Sequence, residues 1–129
     1  MAAEPEVNEV AAESAPVWRA MHRFARSSAR KIRPVIDMIR GKPCAAALDI
    51  LRFNPRRGAG LITNVLKSAM ANADEAEADM GRLFVREARI DDGPYARRWR
   101  PKDRGRAHPI AKRTSHIIVT VAEKTAAGK

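Results

Sequence analysis

The sequence predicts an α+β fold in which three helices pack on a small antiparallel three-stranded sheet, with a long β-hairpin protruding from it. Two periodicities and one charge pattern predict it. Residues 27–73 carry apolar side chains at helical spacing, broken by proline and glycine where helices begin and end. Residues 83–90 and 114–121 are β-prone apolar segments. Between them, Arg97 to Arg113 holds eight Lys/Arg, six of them arginine, against the single acid Asp103.

The elements follow in order. Residues 1–16 contain Glu4, Glu6, Glu9 and Glu13 and no base, and are expected to be a disordered acidic extension. A single α+β domain is expected over 17–123, and a short disordered tail over 124–129. Val17–Phe24 alternates loosely and suits a short strand. Ser27 or Ser28 offers a helix N-cap, and Ile32, Val35, Ile36 and Ile39 then mark one helical face, with Gly41 placed to end it. Pro34 forfeits an amide donor, so a distorted or late first turn is expected. Pro43 suits the first residue of a second helix facing inward through Ala46, Ala47, Ile50 and Leu51. Asn54-Pro55 reads as an N-cap and first residue of a third helix, whose face is Ile62, Val65, Leu66, Ala69, Met70 and Ala73. Gly58 and Gly60 are expected to let that helix pack closely, and Asp74–Gly81 to fray into a loop.

The first hairpin arm changes phase: Leu83 and Val85 belong to one face, Ala88 and Ile90 to the other, as a β-bulge between them would require. Ile117, Val119 and Val121 alternate cleanly. The hairpin is expected over about residues 82–122, with its tip near Pro101–Arg104. Fully extended arms of that length would project at most ~60 Å at ~3.3 Å per residue.

The chain has 129 residues and a formal net charge of +10, distributed unevenly. Residues 17–42 hold eight bases against Asp37, residues 43–81 are nearly balanced, and residues 82–116 hold eleven bases against four acids. Two basic blocks around a neutral middle point to a scaffold with phosphate-facing surfaces. The most basic segment resembles a hairpin more than the amphipathic helix a membrane surface would want, and no apolar run approaches the ~20 residues of a membrane span. A lone cysteine, Cys44, rules out an intramolecular disulfide. His22, His108, His116 and Cys44 lack metal-ligand spacing, and Gly58-Ala59-Gly60 lacks the frame of a phosphate loop, so neither metal nor cofactor is expected. The acids between Asp74 and Asp79 read as a solvated helix end, not as catalytic carboxylates.

Two candidate sites remain. Ser27-Ser28-Ala29-Arg30-Lys31-Ile32-Arg33 sets cations at a helix N-terminus, where free amides and the dipole favour phosphate. The hairpin adds Trp99 between Arg98 and Arg100, a stacking platform of the kind RNA-binding proteins use.

The stretches Ala25–Lys31, Ile39–Lys42, Ala47–Leu51, Ala69–Ala73, Asp92–Pro94 and Lys112–Ile117 recur in an order that resembles the L-twenty-two family of bacterial large-subunit ribosomal proteins, over roughly Trp18 to Glu123. The resemblance implies a non-enzymatic, cytoplasmic, ribosome-bound structural protein. Its globule would bind 23S rRNA and assist assembly, and its hairpin would line the nascent-peptide exit tunnel. By position it implies RNA contacts from Arg26, Ser28, Arg30, Lys31, Arg33, Arg40 and Lys42 on the globule. Further contacts would come from Arg104, Arg106, Lys112, Arg113, Thr114, Ser115 and His116, and a tunnel-lining tip from Arg97, Arg98, Trp99, Arg100, Pro101 and Lys102. The implied partners are 23S rRNA, neighbouring large-subunit proteins and the nascent polypeptide, with no membrane and no homo-oligomer. Pro34 and the Trp99-Arg100 pair depart from residues common in the family. The rival reading from the residues is an architectural DNA-binding protein that bends duplex with basic arms and a Pro101 wedge. Such proteins work as intertwined dimers, so oligomeric state discriminates the two. An enzyme acting on RNA is a third reading, for which no nucleophile, base or metal set presents itself.

Overall fold

The computed structural model describes residues 16–124, so the expectations for the acidic extension and the C-terminal tail fall almost wholly outside the described residues. Five strands and three α-helices follow one another: β1 Val17–Ala25, α1 Ala29–Asp37, α2 Cys44–Arg52, α3 Arg57–Glu75, β2 Leu83–Asp92, β3 Ala96–Pro101, β4 Ala107–Lys112 and β5 Ser115–Glu123. Short 3-10 turns at Met80–Arg82 and Asp103–Gly105 link α3 to β2 and β3 to β4. The sheet order is β1-β5-β2, all antiparallel, while β3 and β4 form a separate two-stranded ribbon. The predicted α+β architecture is therefore present, but the hairpin is two pieces: β2 and β5 belong to the globule, and only β3–β4 projects beyond it.

The core lies on one face of the sheet. Antiparallel register sets Ala20 opposite Val119 and Trp18 opposite Val121, with Val85, Ala88 and Ile90 opposite Val121, Val119 and Ile117 from the other side. Onto this face α3 lays Ile62, Val65, Leu66, Ala69 and Ala73, all buried and at the spacing read from the sequence. Met70 is only half-buried. α1 adds Ile32, Val35 and Ile36, followed by Ile39 from the turn after it. From α2 come Cys44, Ala47 and Leu51, with Ala46 and Ile50 at its margin.

The bulge inferred from the phase change exists: pairing of β2 with β5 slips between Val85 and Glu87. The extra residue, Arg86, restores Ala88 and Ile90 to the core side after Leu83 and Val85. Gly58 also behaves as expected, since a Cβ there would sit 3.3 Å from Ile32 Cγ1; Gly60 instead faces open space.

Helix boundaries differ in three places. α1 begins on time at Ala29 despite Pro34, because that proline lies in its second turn and costs only the amide bond to Arg30. α1 ends at Asp37, tightens through bonds from Met38 and Ile39 to carbonyls three residues back, and reaches Gly41 only later. Gly41, at φ 80°, is the corner that sends its own amide to Val85 and lets Lys42 accept from the Val85 amide. Pro43 is the N-cap of α2, not its first residue. α3 begins at Arg57, because the Asn54 side chain accepts from the Arg56 amide in an Asx turn and holds residues 54–56 outside the helix.

Burial pushes the Cys44 thiol from its ordinary 9.0 up to about 11. Ionisation is then easier in the unfolded chain, so this group lowers stability as pH rises above about 9, and only ~10⁻³ of it is thiolate at pH 8. Cys44 in the folded protein is expected to resist a thiol-specific disulfide reagent at pH 8 and to react fully on denaturation; rapid reaction of the native protein would contradict its burial.

Candidate nucleic-acid interface

The C-terminal end of β1 turns through Arg26–Ser28 into α1, and this corner forms one wall of an open cleft of about 1280 Å³. Arg26, Arg30, Lys31 and Arg33 line that wall, Arg57 enters from the start of α3, and Arg98, Lys112 and Arg113 close the cleft from the ribbon side. Eight cations thus face one carboxylate, that of Asp92. Among the described residues, Arg33 is the one of these eight with a carboxylate contact within 4 Å, to Asp92 at 3.9 Å. The two basic blocks of the sequence therefore meet at a single surface.

A second, smaller cleft of about 480 Å³ runs between the N-termini of α1 and α3, lined by Arg26, Ser27, Ser28, Lys31, Arg56, Arg57 and Gly58. Ser28 occupies the N-cap position of α1 but its hydroxyl makes no capping bond, and Arg56 at the start of α3 has none to offer. Both first turns keep amide donors that no side chain caps. Two positive dipole ends, free amides and surrounding cations together favour an anion. Arg57 was missed in the sequence reading. Its signal was present: Asn54-Pro55-Arg56-Arg57 repeats, at a helix start, the pattern of Ser28-Ala29-Arg30-Lys31.

Other residues expected to touch RNA do structural work. The Arg40 guanidinium donates from Nε and Nη2 to the Ala88 carbonyl at 3.0 and 2.6 Å and pairs with Asp37 at 2.8 Å, tying the end of α1 to β2 just past the bulge. Arg33 donates to the Ile90 carbonyl at 3.2 Å while still lining the cleft. Lys42 lies with Arg40 on the β2 side, outside the cleft.

The Thr114-Ser115-His116 run forms a joint between sheet and ribbon. Thr114 Oγ1 donates to the Pro94 carbonyl, and the Gly93 amide donates to the Thr114 carbonyl at 3.0 Å. Ser115, one of the residues expected to touch RNA, is instead wholly buried, with no hydrogen-bond partner for its hydroxyl among the described residues. His116 Nδ1 accepts from the Phe24 amide at 3.1 Å and its ring meets that of Phe24 edge-on, centroids 5.0 Å apart. Phe24 sits at φ 61°, in the irregular stretch where β1 slips against β5. These bonds fix the point where the sheet stops and the ribbon starts.

Beyond the joint the ribbon is bare: of residues 95–113 only Ile110 is even half-buried. Pairing puts Ala96 opposite Lys112, Arg97 opposite Ala111, Arg98 opposite Ile110, Trp99 opposite Pro109, Arg100 opposite His108 and Pro101 opposite Ala107. The turn is Lys102–Arg106, closed by the Lys102 amide on the Arg106 carbonyl at 2.7 Å, with Arg104 and Gly105 at φ 59° and 73°. The tip is consequently Lys102, Arg104 and Arg106. Arg97 and Arg98, which the family resemblance implied at the tip, belong to the ribbon's base, and Trp99, Arg100 and Pro101 lead outward from them. Pro109 is tolerated because each ribbon strand has one unpaired edge.

A cation-lined cleft and an unsupported basic ribbon on an α+β core define a small structural protein whose working surface is its charge. Residues 20–122 match the model of the family described as ribosomal protein L22p/L17e, and the chain belongs to that family. It is 50% identical to the large ribosomal subunit protein uL22 of Ligilactobacillus salivarius (strain UCC118) over 114 residues, which span 88% of this chain and 99% of that protein. The chain is thus a ribosomal structural protein and not an enzyme.

A Cβ at Gly93 would lie 2.7 Å from Thr114 Oγ1 and 3.2 Å from His116 Cε1. Gly93→Ala is expected to lower stability by about 1–3 kcal/mol by pushing the joint apart. Gly60→Ala, on an open helix surface, should raise stability by about 0.5–1 kcal/mol through the better helix propensity of alanine. Urea denaturation of the two variants checks the opposite signs.

Proposed function

We propose that this chain is a component of the large ribosomal subunit that seats its basic cleft on 23S rRNA, assists subunit assembly, and extends its ribbon to line the nascent-peptide exit tunnel. The observation that carries the reading is the convergence of eight cations from three separated parts of the chain around one carboxylate. An array of that kind repels itself in the free protein and is relieved by phosphates. The ribbon supports the second half of the reading. A two-stranded hairpin without a packed face is marginal in water, so one this exposed suits a site where a partner surrounds it. Cleft and ribbon are continuous, since Arg98 and Lys112 belong to both. On this reading the globule and the cleft anchor the protein, Arg97 to Pro101 track the RNA wall, and Lys102 to Arg106 come closest to the lumen. The partners are 23S rRNA, adjacent large-subunit proteins and the growing polypeptide. The protein works as one copy in the cytoplasmic ribosome, with no cofactor.

Binding of the purified protein to protein-free 23S rRNA is expected to weaken steeply with salt. For eight neutralised phosphates, log K should fall against log[salt] with a slope of about −6 to −7, and Arg57→Ala should make it shallower by about one. A slope shallower than about −2 would show that the cleft does not meet phosphate. Tight binding to duplex DNA by a dimer would favour the DNA-bending reading instead.

The tunnel assignment is tested separately. A photoreactive amino acid in place of Arg104, in ribosomes stalled during synthesis, is expected to capture the nascent chain, and one in place of Arg30 to capture only RNA. Capture of RNA alone from position 104 would remove the lining role and leave the anchoring role.

A further inference from the structure

One large apolar side chain stands outside both clefts and the ribbon. Phe53, which closes α2, is 81% exposed, more than any other large apolar side chain among the described residues. It has an exposed apolar neighbour in Met38 at the end of α1, to whose Sδ the Asn54 side chain donates at 3.6 Å. Asn54 is held from a second side, since its Oδ1 accepts from the Arg56 amide at 2.9 Å. The Phe53 amide donates to the Asp49 carbonyl at 3.3 Å, so the backbone beneath the ring is fixed as the last turn of α2. The ring is exposed on a rigid support.

We infer that Phe53 is an RNA contact outside both clefts, a platform on which one unpaired base stacks as its strand leaves the smaller cleft past Arg56. The inference rests on the reading of this end of the globule as RNA-facing. Charge selects the occupant. Within four residues on either side of Phe53 stand Arg52, Arg56 and Arg57 against one acid, Asp49. The smaller cleft, lined by Arg56 and Arg57 together with Arg26 and Lys31, has no carboxylate in its wall. A protein covering the ring would have to desolvate these guanidinium groups. A nucleotide instead brings a flat ring for the phenyl face and a phosphate for the cations. The Arg52 guanidinium carbon already lies 5.8 Å from the ring centroid, and an aromatic ring beside arginine is the combination that holds single-stranded bases. Position agrees. Phe53 comes three residues before Arg56, so their backbones are at most ~11 Å apart and one short strand can touch both.

The test uses variants of the full chain at this exposed position. Phe53→Ala is expected to weaken binding to protein-free 23S rRNA about 5–100-fold without altering the slope of log K against log[salt], because no charge is removed. Phe53→Trp should retain the affinity and Phe53→Leu should not, since leucine supplies apolar area but no π-face. A photoreactive phenylalanine analogue at position 53 should capture 23S rRNA in assembled large subunits. Equal affinity of Phe53→Ala and the parent, or full retention by Phe53→Leu, would overturn the inference. Capture of a neighbouring protein instead of RNA would also overturn it, by showing that the ring docks protein. Failure of the cleft reading looks different: RNA captured from position 53 with a parent salt slope shallower than about −2 would sink the cleft and keep the platform.

Discussion

Desolvating an unpaired guanidinium or ammonium costs more than any single contact in this molecule returns, and the architecture is arranged around that cost. Among the described residues the buried side chains are apolar except Ser115 and Thr120, and eight cations gather at one cleft on the surface. Gathering them around Asp92 stores repulsion there, which must be held against by the packing behind it. That packing comes from α3, whose Ile62, Leu66, Ala69 and Ala73 face the sheet while its first residue, Arg57, reaches the cleft. One helix therefore joins the core to the charged rim.

The joint between sheet and ribbon shows how few contacts decide direction. Phe24, Gly93, Pro94, Thr114 and His116 meet where three chain segments pass, and each makes or accepts a defined bond or ring contact. The ribbon has no core of its own, so its aim is inherited from this cluster. Thr114 and His116 make bonds and ring contacts that set this geometry.

Much of the fold was legible because burial imposes period on sequence. The stripe on α3 and the alternation of β5 read directly, and the broken phase of β2 revealed a bulge from side chains alone. What could not be read was where backbone carbonyls would point. Arg40 looks like any surface cation in sequence, and only the bulged strand places the Ala88 carbonyl within its fork. Ser115 was implied as an RNA contact by the family resemblance, yet strand parity at the joint turns it inward. Arg57 escaped because an Asx turn delayed α3 by two residues, a preference of the Asn54 side chain that a simple cap rule overlooks.

Pro109 and the arginines of the ribbon have a second effect. A two-stranded ribbon has two open edges, and an open edge is a template on which another copy can pair and begin to aggregate. Here Pro109 removes one donor from that edge and the clustered positive charge keeps copies apart. The second protection is electrostatic and can be screened: salt, or a polyanion present in less than stoichiometric amount, weakens the repulsion without covering the edge. Between synthesis and assembly, the colloidal stability of this protein thus depends on its ionic surroundings.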